Sequence, residues 1–327
     1  MTFRAIRADK TAEGQQIRFA QMDEAELMDG DVTLRVTHST VNYKDGLALS
    51  GKSPVIRRFP MVLGIDCAGF VRDSAHPGFK AGDEVLLNGY GLSETHFGGY
   101  AQLARVKGDW LLPLPKGMTR ARAMAIGTAG YTAMLCLMAL EAHGLKPADG
   151  AALVTGAAGG VGSVAVTLLA QAGWRVVAST GRASESEYLK SLGAAEVIER
   201  AELAKPSKPL AAERWAAGID SVGSVTLASA LASTRYGGAI AACGLAGGMD
   251  LPSSVAPFIL RGASLLGIDS VQCPMPKRIA AWDRLAAQLD VKRLDAMTET
   301  LPWERAFEAG ERIRAGQSRG RVVLEVA

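Results

Sequence analysis

Along the first hundred residues the apolar positions come in short groups. Over Asp31–Thr37, Val32, Leu34 and Val36 alternate with polar neighbours, the period-two pattern of a half-buried strand. Gly64–Val71 and Gly82–Leu87 are further short apolar runs bounded by turn residues. Short strands with frequent turns predict a small barrel-like domain.

From about Met118 the pattern changes. Arg120 to His143 reads as helical, Ala151–Thr155 as a short buried strand, and Val164–Gln171 as a helix reached through a cluster of glycines. Arg175–Ser179 is the next strand and Ser184–Leu192 the next helix, which completes a βαβ unit. Apolar strands recur at Ala195–Ile198, Gly218–Val222, Gly238–Cys243 and Ser264–Ile268, and this alternation predicts an α/β fold with a doubly wound parallel sheet. After Pro276 the pattern is helical again, with Ile279, Trp282, Leu285 and Leu289 on one packing stripe. Gly320–Val326 reads as a last strand that returns to the first domain. Pro206 and Pro209, flanked by Lys205 and Lys208, mark a solvated connector.

Two long uncharged runs, Ala123–Leu140 and Gly150–Trp174, reach the length of a membrane span, about 18 residues or more. Glycines and hydroxyl residues interrupt both, as in elements buried inside an α/β protein. A length of 327 residues predicts about two domains at roughly 150 residues each. With 36 Lys+Arg against 33 Asp+Glu the charge is nearly balanced, which argues against a nucleic-acid partner. Cys67, Cys136, Cys243 and Cys273 are widely spaced, with no C-x-x-C pair, and read as reduced, buried thiols. The first ten residues carry charge where a signal peptide has its apolar core, so the expectation is an unexported, cytoplasmic protein. The 37 glycines exceed the usual share of about 7% and direct attention to where the backbone must turn tightly.

The densest cluster is Thr155-Gly156-Ala157-Ala158-Gly159-Gly160-Val161-Gly162-Ser163, after a predicted strand and at the head of a predicted helix. Unpaired N–H groups and the positive dipole end of a helix suit a pyrophosphate, and glycine lets the backbone approach it. The strict G-x-G-x-x-G spacing is absent, so a purely structural turn is the competing reading. About twenty residues on, an NAD-selective site places a carboxylate against the ribose. This chain has Ser179-Thr180-Gly181-Arg182 there, and Arg182 offers a guanidinium suited to a 2′-phosphate, which predicts NADPH. The alternative is that Arg182 caps a strand end and points to solvent.

With these residues in view, the chain resembles the zinc-free, quinone-oxidoreductase branch of the medium-chain dehydrogenases/reductases. More narrowly, Asn42–Asp45, Phe59–Asp66, Arg105–Trp110, Ile126–Gly130 and Cys243–Gly248 are similar to blocks of the acrylyl-CoA reductase (NADPH) family. The resemblance covers essentially the whole chain. It implies a GroES-like β-rich catalytic domain over residues 1–118, a Rossmann NADPH-binding domain over 119–270 and a C-terminal return to the catalytic domain over 271–327. It also implies a homodimer; no membrane partner is expected, because neither long uncharged run is apolar enough for lipid. Zinc-dependent relatives carry a Cys and a His-Glu pair where this chain resembles them at Tyr43–Asp45 and Gly64–Asp66, so no metal is expected.

Carried over position by position, the resemblance points to Tyr43, Ala158, Gly159, Gly160, Val161, Thr180, Gly181, Arg182, Arg200, Leu245, Ile259 and Ser270 as NADPH contacts. Leu245 and Ile259 also fit plain core positions. Reducing an α,β-unsaturated thioester needs a hydride at the β-carbon, a donor for the enolate oxygen and a proton for the α-carbon. Tyr43 is the first candidate for donor or acid, with Asn42 as an amide donor and Asp45 orienting its neighbours or a water. Asn42, Asp45 and Gly46 equally suit a turn after a strand. His96 reads as a structural or surface histidine. Lys52, Arg57, Arg58, Arg319 and Arg321 are possible partners for the phosphates of CoA. Reduction of acrylyl-CoA is the leading expectation, with quinone reduction or a non-catalytic NADPH sensor as alternatives.

Overall fold

The structure is a computed structural model that describes residues 1–52, 54–206 and 208–327. In chain order the strands are β1 (Thr2–Thr11), β2 (Gly14–Asp23), β3 (Val32–Thr40), β4 (Met61–Val62), β5 (Asp66–Ser74), β6 (Glu84–Asn88), β7 (Leu103–Val106) and β8 (Leu112–Pro113). They continue with β9 (Ala151–Val154), β10 (Arg175–Thr180), β11 (Glu196–Glu199), β12 (Trp215–Asp220), β13 (Thr234–Ala242), β14 (Ser264–Gly267), β15 (Thr298–Pro302) and β16 (Arg321–Glu325). The chain divides into two compact units, residues 1–128, 271–286 and 294–327 in the first and 129–270 with 287–293 in the second. The first division lies inside the helical run Arg120–Ala142, just after Gly127, whose φ of +50° and ψ of −163° interrupt the helix. By length and composition that run could cross a membrane, yet 83% of its apolar window is buried within the protein.

In the first unit β1 and β2 form a hairpin, with β4 on the other side of β1. A larger sheet runs β15-β16-β3-β5-β6-β8, and β7 also pairs with β3. One edge of β3 is shared, its His38–Thr40 end taking β16 and its Val32–Arg35 end taking β7. Register shifts in the β3–β5 ladder bend the sheet, and Gly69 sits so close that a Cβ there would lie 2.1 Å from the Arg35 carbonyl oxygen. The core gathers Ile6, Met22, Leu34, Met61, Leu63 and Trp303, and Phe19 meets the Trp303 ring edge-on at 5.1 Å. The last strand does return to this unit, antiparallel to β3.

The helix Met275–Gln288 differs from its predicted stripe. Trp282, Leu285 and Leu289 are buried, but Ile279 is 44% exposed and Arg278 takes the inward place. At about 100° per residue, Ile279 lies roughly 100° from the centre of the buried arc, while Arg278 lies within it. Two of its guanidinium nitrogens find carbonyls there, Nη1 donating to that of Asn88 at 2.8 Å and Nη2 to that of Val271 at 3.3 Å.

The second unit is a six-stranded sheet in the order β11-β10-β9-β12-β13-β14, every neighbouring pair parallel. Order reverses between β9 and β12, and in open α/β sheets ligands bind in the crevice beyond the carboxyl ends at such a point. All four residues of β9 are buried, as expected where helices cover both faces. Leu153, Val177, Trp215, Leu231 and Ile240 build the core, and the Trp215 indole N–H donates to the Ala230 carbonyl at 2.8 Å. The edge strand β14 is only half-buried.

Candidate active site and cofactor cradle

Beyond β9 the chain turns at Gly156–Gly159 and enters the helix Gly160–Gln171. Gly156 has a φ of +59°, and the Gly159 N–H closes the turn onto the Gly156 carbonyl at 2.9 Å. The Ala157 N–H donates to the Ser179 carbonyl, which ties the turn to β10. Ser163 N–H is bonded to the Gly159 carbonyl, so the N–H groups of Gly160, Val161 and Gly162 before it form the unpaired first turn of the helix. A Cβ on Gly162 would lie 2.3 Å from the Gly156 carbonyl oxygen and 2.6 Å from the Ala157 Cα, and one on Gly156 would lie 2.6 Å from the Ser221 Oγ. The cradle therefore exists only with glycine at these places. A dinucleotide pyrophosphate fits its donors, its dipole and its lack of side chains.

At the end of β10 the Arg182 N–H donates to the Thr180 Oγ1 at 3.2 Å, and the exposed Gly181 follows a buried Thr180. Arg200 stands just past the neighbouring β11, its guanidinium laid along Gly181, where a Cβ would come within 2.9 Å of the Arg200 Cζ. Arg182 is partly buried, with Glu185 at 3.8 Å, and is not a cap extended into solvent. Two guanidinium groups thus stand at adjacent strand ends, and no carboxylate lies between Thr180 and Arg182.

Sequence reasoning missed the joint beneath this cradle. Asp220, fully buried at the end of β12, accepts from the Thr155 hydroxyl at 2.7 Å and the Gly223 N–H at 2.8 Å. Burial raises its pKa, against the pull of those donors. The Cys243 N–H donates to the Asp220 carbonyl, and a Cβ on Gly244 would lie 2.3 Å from the Ser221 carbonyl oxygen. Asp220 so couples the glycine turn to Cys243–Leu245. A carboxylate ending an apolar strand was the available signal. Leu245 and Ile259 are 57% and 71% exposed, which overturns the core reading of both, and Ser270 is half-buried.

In the first unit Asn42 precedes the helix Tyr43–Leu49. Asp45 accepts the Asn42 N–H at 2.9 Å, the reciprocal half of a capping box, and the Ile65 N–H at 2.9 Å. Gly46 lets this helix approach Ala306–Arg314, since a Cβ would lie 2.9 Å from the Gly310 carbonyl oxygen. The Asn42 amide donates to Asp45 at 3.0 Å and to Asp66 at 2.8 Å, and accepts from the Arg321 Nη2 at 3.2 Å. Asp66 further accepts from the Asn88 amide and from the hydroxyl and N–H of Thr128. Arg321 also donates to the Ala125 carbonyl and the Thr40 hydroxyl.

This buried network corrects two expectations. Both N–H donors of the Asn42 amide are spent on carboxylates, which leaves it no N–H for a substrate oxygen, and the hydrogen bonds of Asp45 come from the protein's own N–H groups. Burial, reinforced by Asp66, pushes the Asp45 carboxyl up to about 7. Arg321, proposed from sequence for a CoA phosphate, is buried among these groups and unavailable to one. Tyr43 is 42% exposed, whereas Lys44 is bonded to Glu94 at 2.7 Å. His96 is buried against Trp110, and burial lowers its pKa, as suits a structural histidine. Cys67, Cys136 and Cys273 are buried free thiols and Cys243 is half-buried. Among the described residues no group of three or more His, Cys, Asp or Glu is disposed to hold a metal ion.

Comparison with known proteins agrees with this anatomy. Residues 28–116 match the alcohol dehydrogenase GroES-like domain, and 160–288 match the family described as zinc-binding dehydrogenase. The chain is 52% identical to the probable acrylyl-CoA reductase AcuI of Escherichia coli, over 93% of this chain and 94% of that protein. It is 48% identical to the acrylyl-CoA reductase AcuI of Ruegeria pomeroyi and 42% to the putative quinone oxidoreductase YhfP of Bacillus subtilis, each over 99% of both chains. The crystal structure of the Salmonella enterica yhdH oxidoreductase in complex with NADP superposes with a TM-score of 0.97 at 47% identity, over 100% of both chains. The chain belongs to the medium-chain dehydrogenase/reductase family, among the relatives of its acrylyl-CoA reductases.

Proposed function

We propose that the protein is an NADPH-dependent reductase that converts acrylyl-CoA to propionyl-CoA. The observation that carries the cofactor choice is the pair of guanidinium groups, Arg182 and Arg200, at the ends of β10 and β11. The substrate choice is supported by acrylyl-CoA reductases identical at about half of their positions over nearly the whole chain. The bound cofactor supplies the hydride for the β-carbon. Ala158, Gly159, Gly160 and Val161 hold the pyrophosphate, while Thr180, Gly181, Arg182 and Arg200 hold the adenosine and its 2′-phosphate. Leu245, Ile259, Ser270 and Tyr43 serve the nicotinamide end. The exposed Tyr43 phenol donates to the enolate oxygen and passes a proton toward the α-carbon, while Asn42 and Asp45 hold the backbone that presents it.

Parallel assays of NADPH oxidation with acrylyl-CoA and with a small quinone test the reading. The expected result is a far higher kcat/KM for the thioester, with Tyr43→Phe lowering kcat. A higher kcat/KM for the quinone would overturn it in favour of quinone reduction, the reading that the relative YhfP supports. Tight NADPH binding without turnover of either would indicate a sensor.

We infer further that the enzyme is a cytoplasmic homodimer with no nucleic-acid or membrane partner. Supporting the dimer are the open edge of β14 and the exposed Val255 and Leu260 nearby in sequence. Light scattering should give twice the 34.3 kDa chain mass, and a monomer would refute it.

A further inference from the structure

A cavity of ≈ 620 Å³ in the first unit takes no part in the reading above. It opens between the turn after β2, the segment Arg58–Pro60 and the loop after β6. One wall is aromatic. Tyr90 and Trp110 stack with centroids 5.5 Å apart and planes within 5°, and His96 meets Trp110 edge-on at 5.1 Å. The buried Arg278 backs this wall, its guanidinium 4.4 Å from the Tyr90 ring. Tyr90 and Ser93 have φ of +51° and +69°, left-handed values that non-glycine residues rarely hold, so the loop is strained into its place behind Trp110.

The cavity also has a cationic side. Lys107, exposed, lies with its Nζ 5.5 Å from the Trp110 centroid, and Arg58 is a second exposed cation. Of the acidic lining residues, Glu26 is paired with Arg7 at 3.0 Å and Asp29 lies exposed at the rim. An aromatic face covered only by the long, exposed side chain of a lysine, with a second exposed cation nearby, suits a planar base that carries phosphate. The volume falls within the ordinary range for small-ligand sites, about 300–1,000 Å³. A second cavity, ≈ 590 Å³ in the second unit, offers only the protruding Tyr236 among mixed charges.

We propose that this cavity takes the adenosine 3′,5′-bisphosphate end of the acyl-CoA substrate, the base replacing Lys107 on the Trp110 face opposite Tyr90 and the phosphates drawing Arg58 and the displaced Lys107. The inference rests on the acyl-CoA reading above. The loop links the two ends of such a substrate, because Glu94 within it holds Lys44 beside Tyr43 while Thr95 and His96 line the cavity.

The test uses the full-length enzyme saturated with NADPH, which occupies the cofactor's own adenosine site. For Arg58→Ala/Lys107→Ala the KM for acrylyl-CoA should rise at least tenfold, while kcat and kcat/KM for acrylyl-pantetheine, which lacks the nucleotide, match wild type. Trp110→Leu should raise the same KM. Both thioesters affected equally, or neither affected, would overturn the proposal. In parallel, 3′,5′-ADP is titrated into wild type and the double variant by calorimetry. Binding lost in the variant supports the site, and unchanged binding overturns it, even if no acyl thioester proves to be a substrate and the function reading alone has failed. Binding of 5′-AMP as tight as that of 3′,5′-ADP, with an unchanged acrylyl-CoA KM, would overturn it in favour of a free-nucleotide site.

Discussion

Asp45 should make the stability of the protein depend on pH, and replacing it with asparagine isolates the effect. The carboxyl is fully buried and its ordinary value of 3.8 is raised to about 7, first by burial and then by the neighbouring Asp66, against the pull of the Asn42 and Ile65 donors. Between those two values the folded protein binds a proton that the unfolded chain has released. The stabilisation is thus fully present below about pH 4 and is lost as pH rises through about 7. At 1.36 kcal/mol per pK unit the whole loss is about 4 kcal/mol, of which about 3 kcal/mol falls between pH 5 and pH 8. Asp45→Asn does not titrate. It sets an amide N–H against a backbone donor, a deficit of about 1–3 kcal/mol that is the same at every pH. Burial lowers the pKa of His38 and His96, which adds stability as pH rises, but both residues remain in the variant and cancel in the difference. Urea unfolding of both proteins, followed by tryptophan fluorescence at pH 5, 6, 7 and 8, gives that difference. Wild type should lose about 3 kcal/mol relative to the variant across the series. A difference constant within about 0.5 kcal/mol, or one that grows with pH, would refute the account of Asp45 as a carboxyl protonated by burial.

Other substitutions probe the cradle and the first unit. Gly162→Ala places a methyl 2.3 Å from the Gly156 carbonyl oxygen, so the Kd for NADPH measured by fluorescence should rise at least about tenfold. Arg182→Ala/Arg200→Ala removes charge-assisted hydrogen bonds of about 1.5–3 kcal/mol each, and the NADPH over NADH ratio of kcat/KM should fall more than about tenfold. An unchanged ratio would place cofactor selection elsewhere. Gly127→Ala forces an L-residue into a region nearly restricted to glycine and brings its Cβ within 2.9 Å of both Arg321 and Asp66. Stability should drop by about 3 kcal/mol in urea unfolding, and a loss under about 1 kcal/mol would show that the network yields.

Much of the fold could be read because burial and period coincide. β3 alternates so clearly that its predicted span lies almost wholly within the observed strand, and the Rossmann strands β9 to β14 are apolar runs separated by helices. β15 could not be read in this way. Its residues are mostly exposed, and it is a strand because it lies parallel to β16, a pairing that leaves no period in Thr298–Pro302. The helix Met275–Gln288 misled for a related reason. Hydrophobicity favoured Ile279 for the inward face, but the carbonyls of Asn88 and Val271 accept from a guanidinium there and give the place to Arg278.

The site divides along the same physical line. The glycine turn was legible because its chemistry is backbone chemistry, visible wherever side chains are missing after a strand. The Asn42 network was not, because its charges are buried by partners far away in the chain, Arg321 against Asn42 and Thr128 against Asp66. A sequence reading sends Arg321 to the surface as a phosphate ligand, since an isolated buried guanidinium would be very costly. Asp66 within the otherwise apolar Gly64–Val71 was the remaining clue to a buried charge in need of a partner. Once Asn42, Asp45, Asp66 and Arg321 have satisfied one another and Lys44 has gone to Glu94, Tyr43 is the side chain of Asn42–Asp45 left exposed. On the proposed function, chemistry at this segment falls to the phenol, and the buried polar groups around it fix the backbone from which it projects.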